Sequence, residues 1–316
     1  MKTMVKQKAE KMDRKELRAK LKRYKFLYFL VLPGLIYTLV FCYIPMCGIV
    51  LAFQDYDIIG GIFNSPWVGF DNFVKVFSTP KMLHAIKNTL IYSSIGLFGG
   101  TPFPIILALL LNEVKMKSFK KITQTISYLP HFLSWVSVVG MLSGFFATYG
   151  TYNDIMARLF GENYERINIL MDSKYFLPVI FWSNIWKSVG WSSIIYLAAI
   201  TGIDQSMYEA ATVDGCSRLK QVFYITIPSI MPTILILFIM SMGNLVGSNF
   251  EQVFGFQNLY TQEATETINT LIYRMGIQNG QYSLSTAFGV AQNAVSFLLV
   301  FTSNWIVKKL SGTGIW

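Results

Sequence analysis

One polar segment of the sequence, residues 202–232, combines acidic, small and helix-breaking residues at short spacing. Its first half is rich in good helix formers, and Asp204 or Ser206 can cap a helix there. Gly215 is typical of a helix stop, and Pro228 is typical of the first turn of a new helix. We therefore expect a short helix, a glycine turn and a second short helix before the chain continues.

The residue types in this segment favour the docking of another protein over catalysis. Small alanine side chains let a second surface approach closely, and the neighbouring charges of Glu209 and Asp214 can anchor it. The candidate docking residues are Glu209, Ala210, Ala211, Asp214, Gly215, Arg218 and Pro228. A charged loop that folds on itself is the alternative interpretation.

The sequence offers no catalytic or metal site. The three cysteines, Cys42, Cys47 and Cys216, form no CxxC pair, and neither His84 nor His131 has a second ligand spaced with it. The phosphate-binding pattern G-x-x-x-x-G-K-[ST] does not occur. We expect no enzyme activity, no metal and no cofactor bound by this chain.

Composition indicates that the surrounding elements are membrane-spanning helices. Hydrophobic residues make up 53% of the 316 residues and charged residues only 14%, against about 25% charged in a typical soluble domain. Because a spanning helix needs roughly 20 mostly apolar residues, we predict an all-α polytopic membrane protein with six transmembrane helices. The six apolar runs are 26–53, 88–111, 125–148, 176–199, 225–247 and 285–307.

The charge distribution predicts how the chain is oriented. Of the 27 Lys and Arg residues, 11 lie in residues 1–25, so the net charge of +10 is segregated and does not indicate a nucleic-acid-binding face. With the N-terminus inside, inside segments hold 19 basic residues and outside loops hold 7. The excess of basic residues on the inside predicts that both termini are cytoplasmic.

These runs divide the chain into a predicted order of segments. With both termini in the cytoplasm, residues 202–232 also face the cytoplasm. The predicted segments are a basic head (1–25), a first transmembrane helix (26–53), an external loop (54–87), a five-helix core (88–307) that contains residues 202–232, and a cytoplasmic tail (308–316).

Polar side chains inside the spans are candidates for a substrate path. Asn184, Lys187 and Trp191 lie at i, i+3 and i+7, so we expect them on one helix face. Polar residues at the end of the fifth run and on the sixth recur in the same way. The candidates are Asn184, Trp186, Lys187, Trp191, Asn244, Ser248, Asn249, Glu251, Gln252, Gln292 and Asn293. The alternative is that these residues tie helices together, with Lys187 paired to Glu251 or reaching to the interface.

The docking segment resembles a known motif. Glu209-Ala210-Ala211, then Asp214-Gly215, then Ile227-Pro228, closely resembles the EAA motif of permease subunits of ATP-binding-cassette (ABC) importers of the type I, binding-protein-dependent sugar class. Cys216 and Ile227 stand where Ala and Leu are common in that family. The resemblance covers nearly the whole chain and is narrowest to the LplB/YteP-like polysaccharide and oligosaccharide branch. It rests on Leu32-Pro33-Gly34, Tyr43-Ile44-Pro45, Ser65-Pro66-Trp67, Ile185-Trp186-Lys187 and Gly247-Ser248-Asn249-Phe250-Glu251-Gln252.

The resemblance implies a transport mechanism and a set of partners. A type I ABC permease sits in the bacterial plasma (inner) membrane and forms half of the path for a carbohydrate. Its expected partners are a second homologous permease subunit, two ATPase subunits that bind ATP and Mg, and an extracellular or periplasmic solute-binding protein. The motif implies that Glu209 to Gly215 form the coupling helix that contacts an ATPase.

Two other functions compete with this one. An ion-coupled secondary transporter would usually carry carboxylates within its spans, and none of the six runs contains Asp or Glu. A non-transport membrane scaffold would not need the docking segment. Co-purification with an ATPase distinguishes the importer from both.

Overall fold

The computed structural model describes residues 22–161, 164–247, 249–312 and 314–315, and helices dominate that part of the chain. Among the described residues there is no strand, only an isolated antiparallel bridge between Gln54 and Trp67. The main helices are α1 (Lys25–Thr38), α2 (Asp71–Ser78), α3 (Pro80–Ser94), α4 (Pro102–Glu113), α5 (Lys117–Tyr128), α6 (Trp135–Phe146), α7 (Thr151–Phe160), α8 (Phe176–Thr201), α9 (Gln205–Val213), α10 (Arg218–Gln221), α11 (Ile227–Met242), α12 (Phe250–Phe256), α13 (Ile268–Tyr273) and α14 (Tyr282–Ser311).

Shorter helical turns extend or join these helices. The α-helical turns are Ile44–Met46, Gly61–Asn64 and Gln262–Thr265; the 3₁₀ turns are Cys47–Phe53, Leu129–Phe132, Ile169–Met171 and Ser173–Tyr175; and the π turns are Leu39–Tyr43, Ile95–Gly99, Val222–Thr226 and Arg274–Gln278. The predicted basic head lies mostly outside the described residues, which begin at Lys22.

The chain forms two compact units, one ending at Val50 and the other beginning at Leu51. In the first unit, every residue of α1 is exposed in the single chain, although most of its side chains are large and apolar. The hydroxyl of Thr38 donates to the carbonyl of Gly34 at 2.8 Å, so it needs no water. An apolar surface of this extent requires lipid or another subunit around it.

Four helical segments are long and apolar enough to cross a membrane: Lys25–Phe53, Pro80–Glu113, Arg218–Met242 and Tyr282–Ser311. By the same measure of length and apolar character, the broken pair Lys117–Phe132 and Trp135–Phe160, which meet at 99°, is a candidate fifth span. The predicted span 125–148 is therefore not one straight helix, because it breaks at residues 133–134. Leu133 and Ser134 adopt extended backbone, and the Ser134 hydroxyl accepts a hydrogen bond from the Ser137 N–H and starts α6 there.

The remaining predicted span, 176–199, corresponds to α8, which has 26 residues. At 1.5 Å per residue this helix is about 39 Å long, enough to cross a bilayer. Its polar residues make it less apolar than the four segments named above, so it is not counted with them. The count of six spans therefore stays a prediction. The predicted fifth run ends earlier than expected, because α11 stops at Met242 and the chain turns at residues 243–246.

Three buried apolar clusters hold the second unit together. The cluster beneath α8 joins Tyr196, Leu197 and Ile200 to α4 and α11. The other two clusters join α2, α3, α13 and α14, and join α8 to α12. Helix α8 belongs to two of the three clusters, so it is the element against which the rest of this unit is arranged.

Polar contacts fix the segment between α11 and α14 onto α3. The side-chain amide of Asn88 donates to the carbonyls of Ala264 and Glu266, both at 2.9 Å. The buried carboxylate of Glu266 pairs with Arg274 at 3.3 Å, and Arg274 also donates to Gln257 at 2.9 Å. This network fixes the segment that contains α12 and α13.

Helix α8 contacts α5 through backbone rather than side chains. A Cβ placed on Gly190 would lie 2.0 Å from the carbonyl oxygen of Ser127, a separation that real atoms do not reach. Gly190 is therefore required for the close approach of α8 to the broken pair of helices.

Gly190→Ala is predicted to destabilise the purified protein in detergent. The added methyl group must push α8 from α5, which we expect to cost about 1–3 kcal/mol. Gly140→Ala in α6 is the matched control, because nothing lies within 4 Å of its Cβ position. Thermal unfolding measures both; equal midpoints for the two variants would contradict the close contact.

Candidate functional site

The segment predicted to dock another protein forms the expected short helix and glycine turn. The second helix, α10, is not a separate short helix, because it continues through the π turn Val222–Thr226 into α11 as the segment Arg218–Met242. Helix α9 begins after Asp204, whose carboxylate accepts a hydrogen bond from the Ser206 N–H at 3.0 Å. Hydrogen bonds from the backbone N–H and the side chain of Ser206 hold the pKa of Asp204 below its usual value. The cap therefore stays ionised at neutral pH, where a negative charge suits a helix N-terminus.

Gly215 ends α9 in the left-handed conformation, with φ of +74°. The N–H of Cys216 donates to the carbonyl of Ala211 at 2.9 Å, and the N–H of Gly215 donates to Thr212 at 3.1 Å. These two bonds define a Schellman turn, in which a residue without Cβ is strongly favoured. The turn fixes the direction in which the chain leaves α9.

Helix α9 has one face anchored and one face free. On the anchored face, the Tyr208 hydroxyl lies 2.9 Å from that of Thr226, and Gln221 donates to the Thr212 hydroxyl at 3.0 Å. Ala211 lies on this face and is half-buried. The free face carries Glu209, Ala210 and Val213, all exposed, at i, i+1 and i+4. Asp214 is also exposed, so two carboxylates flank this small apolar patch.

Two of the predicted docking residues have structural neighbours. Arg218 forms an ion pair with Glu113, at the end of α4, with 2.8 Å between Nη1 and Oε2. Pro228 lies in the first turn of α11, directly after the π turn Val222–Thr226 and within the helical segment Arg218–Met242. Arg218 therefore joins α10 to α4, while Glu209 makes no hydrogen bond or ion pair with any described residue.

A cavity of about 460 Å³ lies among α3, α4, α8, α11 and α12. Five of the predicted path residues line it: Asn184, Trp191, Asn244, Asn249 and Gln252. The amide of Gln252 is buried and donates to the Ile180 carbonyl at 2.7 Å and to the Ser183 hydroxyl at 2.9 Å. Gln252 thereby fixes α12 against α8 at the cavity wall.

The cavity wall combines apolar surface with polar side chains and carries no charged residue among those described. Hydroxyl and amide groups are spread over all of its elements and are interleaved with aromatic rings and aliphatic side chains. The polar lining residues are Tyr92, Ser93, Thr101, Asn184, Ser188, Ser192, Tyr196, Ser241, Asn244, Asn249 and Gln252. Such a wall offers hydrogen bonds and apolar surface, which suit a ligand rich in hydroxyl groups.

The other predicted path residues lie elsewhere. Trp186 lines a separate apolar pocket, Glu251 is exposed, and Gln292 donates to Asn269 at 2.9 Å. Asn293 is exposed on α14. None of these four lines the cavity. Ser248 lies outside the described residues. The expected common face of residues 241–251 does not form, because the chain turns after Met242.

Lys187 does not line the cavity that Asn184 and Trp191 line. At 100° per residue it lies about 60° from Asn184, on the side away from Ser188. Its ammonium group donates to the carbonyl of His131 at 2.7 Å, and the side chain is 9% exposed. This contact replaces the alternatives of pairing with Glu251 or reaching to the interface.

Several residues that line the cavity were not predicted, although Ser188 and Ser192 follow the predicted Asn184 in a regular helical pattern. Asn184, Ser188 and Ser192 follow one another at four-residue spacing on α8, and all three line the cavity. That spacing is visible in the sequence. Thr101 and Ser93 gave no such signal, because the π turn Ile95–Gly99 changes the helical phase between them.

The fold is that of a transport permease. Residues 100–311 match the family model "Binding-protein-dependent transport system inner membrane component". The chain belongs to this family, so it is a multi-pass membrane protein and not an enzyme. The resemblance drawn from the Glu209-Ala210-Ala211 motif is confirmed.

Relatives and solved structures agree with this assignment. The chain is 43% identical to the polygalacturonan/rhamnogalacturonan transport system permease protein YteP of Bacillus subtilis (strain 168), over 97% of this chain and 95% of that protein. It is 42% identical to Protein LplB of the same organism, over 94% and 93%. A chain of a bacterial ABC transporter that imports the acidic polysaccharide alginate superposes with a TM-score of 0.85 at 38% identity, covering 93% of this chain and 99% of that one.

A second structure of the bacterial alginate ABC transporter, in complex with an alginate pentasaccharide-bound periplasmic protein, gives a TM-score of 0.86 at 37% identity. The match covers 95% of this chain and 99% of that chain. The predicted all-α permease fold is therefore confirmed.

Gly215→Ala is predicted to loosen the turn after α9, because an alanine in the left-handed conformation costs roughly 1–2 kcal/mol. Local opening should become about 5–30 times more frequent. Hydrogen exchange at the Cys216 N–H measures this. Gly215→Asn is the control, since asparagine tolerates this conformation better and should exchange more slowly than the alanine variant. Unchanged exchange in both variants would contradict the assigned turn.

Proposed function

We propose that this chain is one permease subunit of an ATP-driven importer for carbohydrates, most simply oligosaccharides or fragments of a polysaccharide. The observation that carries the proposal is the free face of α9, with an unpaired Glu209 on a rigidly capped helix. A surface of this kind suits a protein partner. The named substrates of YteP and of the alginate transporters support a carbohydrate.

The cavity among α3, α4, α8, α11 and α12 is the proposed segment of the sugar path. Its amides and hydroxyls can replace the hydrogen bonds that a sugar makes with water. No acidic residue among the described ones lines it, which speaks against an ion-coupled secondary transporter. A non-transport scaffold has no evident use for the cavity.

The proposed partners follow from the family and from the charges. A second homologous permease completes the path, and two ATPase subunits bind ATP and Mg and contact α9. An external solute-binding protein delivers the sugar. In support, the alginate transporter forms a complex with a periplasmic protein that has an alginate pentasaccharide bound. The 19 to 7 distribution of basic residues supports cytoplasmic termini and a cytoplasmic α9 in the bacterial plasma membrane.

The test is ATP-driven uptake by the whole assembly reconstituted in proteoliposomes. The wild-type complex should take up an oligosaccharide only when ATP is inside with the ATPase and the loaded binding protein is outside. The complex that carries Glu209→Lys should assemble normally, but the stimulation of its ATPase activity should fall at least about fivefold. The reason is that the substitution removes the free energy that couples α9 to the ATPase.

Glu263→Lys is the matched control for Glu209→Lys. Glu263 is also exposed and acidic, but it lies in the short helical turn Gln262–Thr265 between α12 and α13. This variant should retain uptake and stimulation. Full stimulation in Glu209→Lys would contradict coupling through α9, and sugar uptake without any ATPase would contradict the importer itself.

A further inference from the structure

Two aromatic rings form a layered wall at the cavity. The imidazole of His131 and the indole of Trp191 are parallel within 1°, with 4.5 Å between ring centroids. Phe132 meets the same indole edge-on at 5.7 Å and 82°. Trp191 lines the cavity and is 44% exposed, whereas His131 does not line it. The imidazole therefore lies behind the indole and supports one of its faces.

The backbone that carries His131 is held by the helix that carries Trp191. Lys187 donates from Nζ to the His131 carbonyl at 2.7 Å, and its ammonium lies 5.4 Å from the ring centroid of Trp135. This carbonyl belongs to the last turn of the helical segment Lys117–Phe132, where a cation is favourable. Gly190 allows the direct contact with Ser127 one turn earlier.

We propose that Trp191 is a stacking platform for one pyranose ring of the transported sugar, and that His131 and Lys187 are its positioning residues. This inference rests on the proposed carbohydrate function. The C–H face of a pyranose is apolar and fits the flat face of an indole, while the hydroxyls of Ser188 and Ser192 and the amide of Asn184 border the same helix face.

The arrangement assigns Lys187 a role that does not involve the charge of the substrate. Its ammonium is directed at the His131 carbonyl and is buried, so it acts on the sugar only through the position of the two rings. Loss of Lys187 or His131 should therefore weaken the binding of neutral and acidic sugars alike.

The experiment uses the reconstituted assembly and two oligosaccharides of equal length, one neutral and one acidic. His131→Ala should raise the apparent KM for uptake of each transported sugar by the same factor, about two- to tenfold, which is the value of a lost aromatic pair. Vmax should change little. His131→Phe keeps a flat ring behind the indole and should restore the wild-type KM. Lys187→Met should raise KM for both sugars equally.

A fluorescence measurement separates a platform from a general structural role. Addition of sugar should change the tryptophan emission of the wild-type assembly, and Trp191→Phe should abolish most of that change. Trp182→Phe is the matched control, because Trp182 lies on the same helix and does not line the cavity. The sugar-dependent change in tryptophan emission should remain in Trp182→Phe.

Three results would overturn the inference while leaving the importer intact. These are a KM that is unchanged in His131→Ala, an effect of Lys187→Met on the acidic sugar alone, and a sugar-dependent emission change that survives in Trp191→Phe. Absence of ATP-driven sugar uptake by the wild-type assembly would instead contradict the proposed function, so the two failures are distinguishable.

Discussion

The hydrogen bond from Lys187 to the His131 carbonyl constrains how α8 meets the broken pair of helices. A helix that ends within an apolar layer leaves carbonyl groups that lipid cannot satisfy. Here the break lies at Leu133 and Ser134, and a buried ammonium from α8 meets the last helical turn before it. The same contact shields the ammonium from lipid. Because the hydrogen bond and the Gly190 contact fix α8 against α5, they also fix the cavity wall that α8 provides.

Helix α8 lines the cavity and ends close to the start of α9, so it connects the two candidate sites. Asn184, Ser188 and Trp191 line the cavity from its middle, and the helix ends at Thr201. Only three residues separate that end from α9, whose free face carries Glu209. A displacement of α9 by an ATPase would therefore reach the cavity wall through a short connection and a rigid helix. This geometry gives a physical form to the proposed coupling, since two states must differ in their contacts at both sites.

The sequence predicted the parts that local chemistry controls. The cap at Asp204 and the turn at Gly215 follow from propensities, and both are present in the structure. The predicted restart near Pro228 is absent, because the helical segment runs without a break from Arg218 to Met242. The broken span could not be predicted, because 125–148 is apolar and its break depends on Ser134 and on the tertiary partner Lys187. The partner of Arg218 was missed for a similar reason: Glu113 is 105 residues away in sequence. A three-residue spacing also placed Lys187 with Asn184, although the cavity lies on the side of Asn184 that carries Ser188 and Ser192, away from Lys187.

The most direct test of the central claim, that an ATPase subunit contacts α9 and is coupled to transport through it, is chemical cross-linking in the assembled transporter. A single cysteine replaces Val213, which is 87% exposed, or Leu259, which is 92% exposed, after Cys42, Cys47 and Cys216 are changed to serine. A short bifunctional reagent should link position 213 to the ATPase subunit and arrest uptake, while position 259 should give no ATPase adduct. An ATPase adduct from position 259, or none from position 213 in an active assembly, would contradict the account.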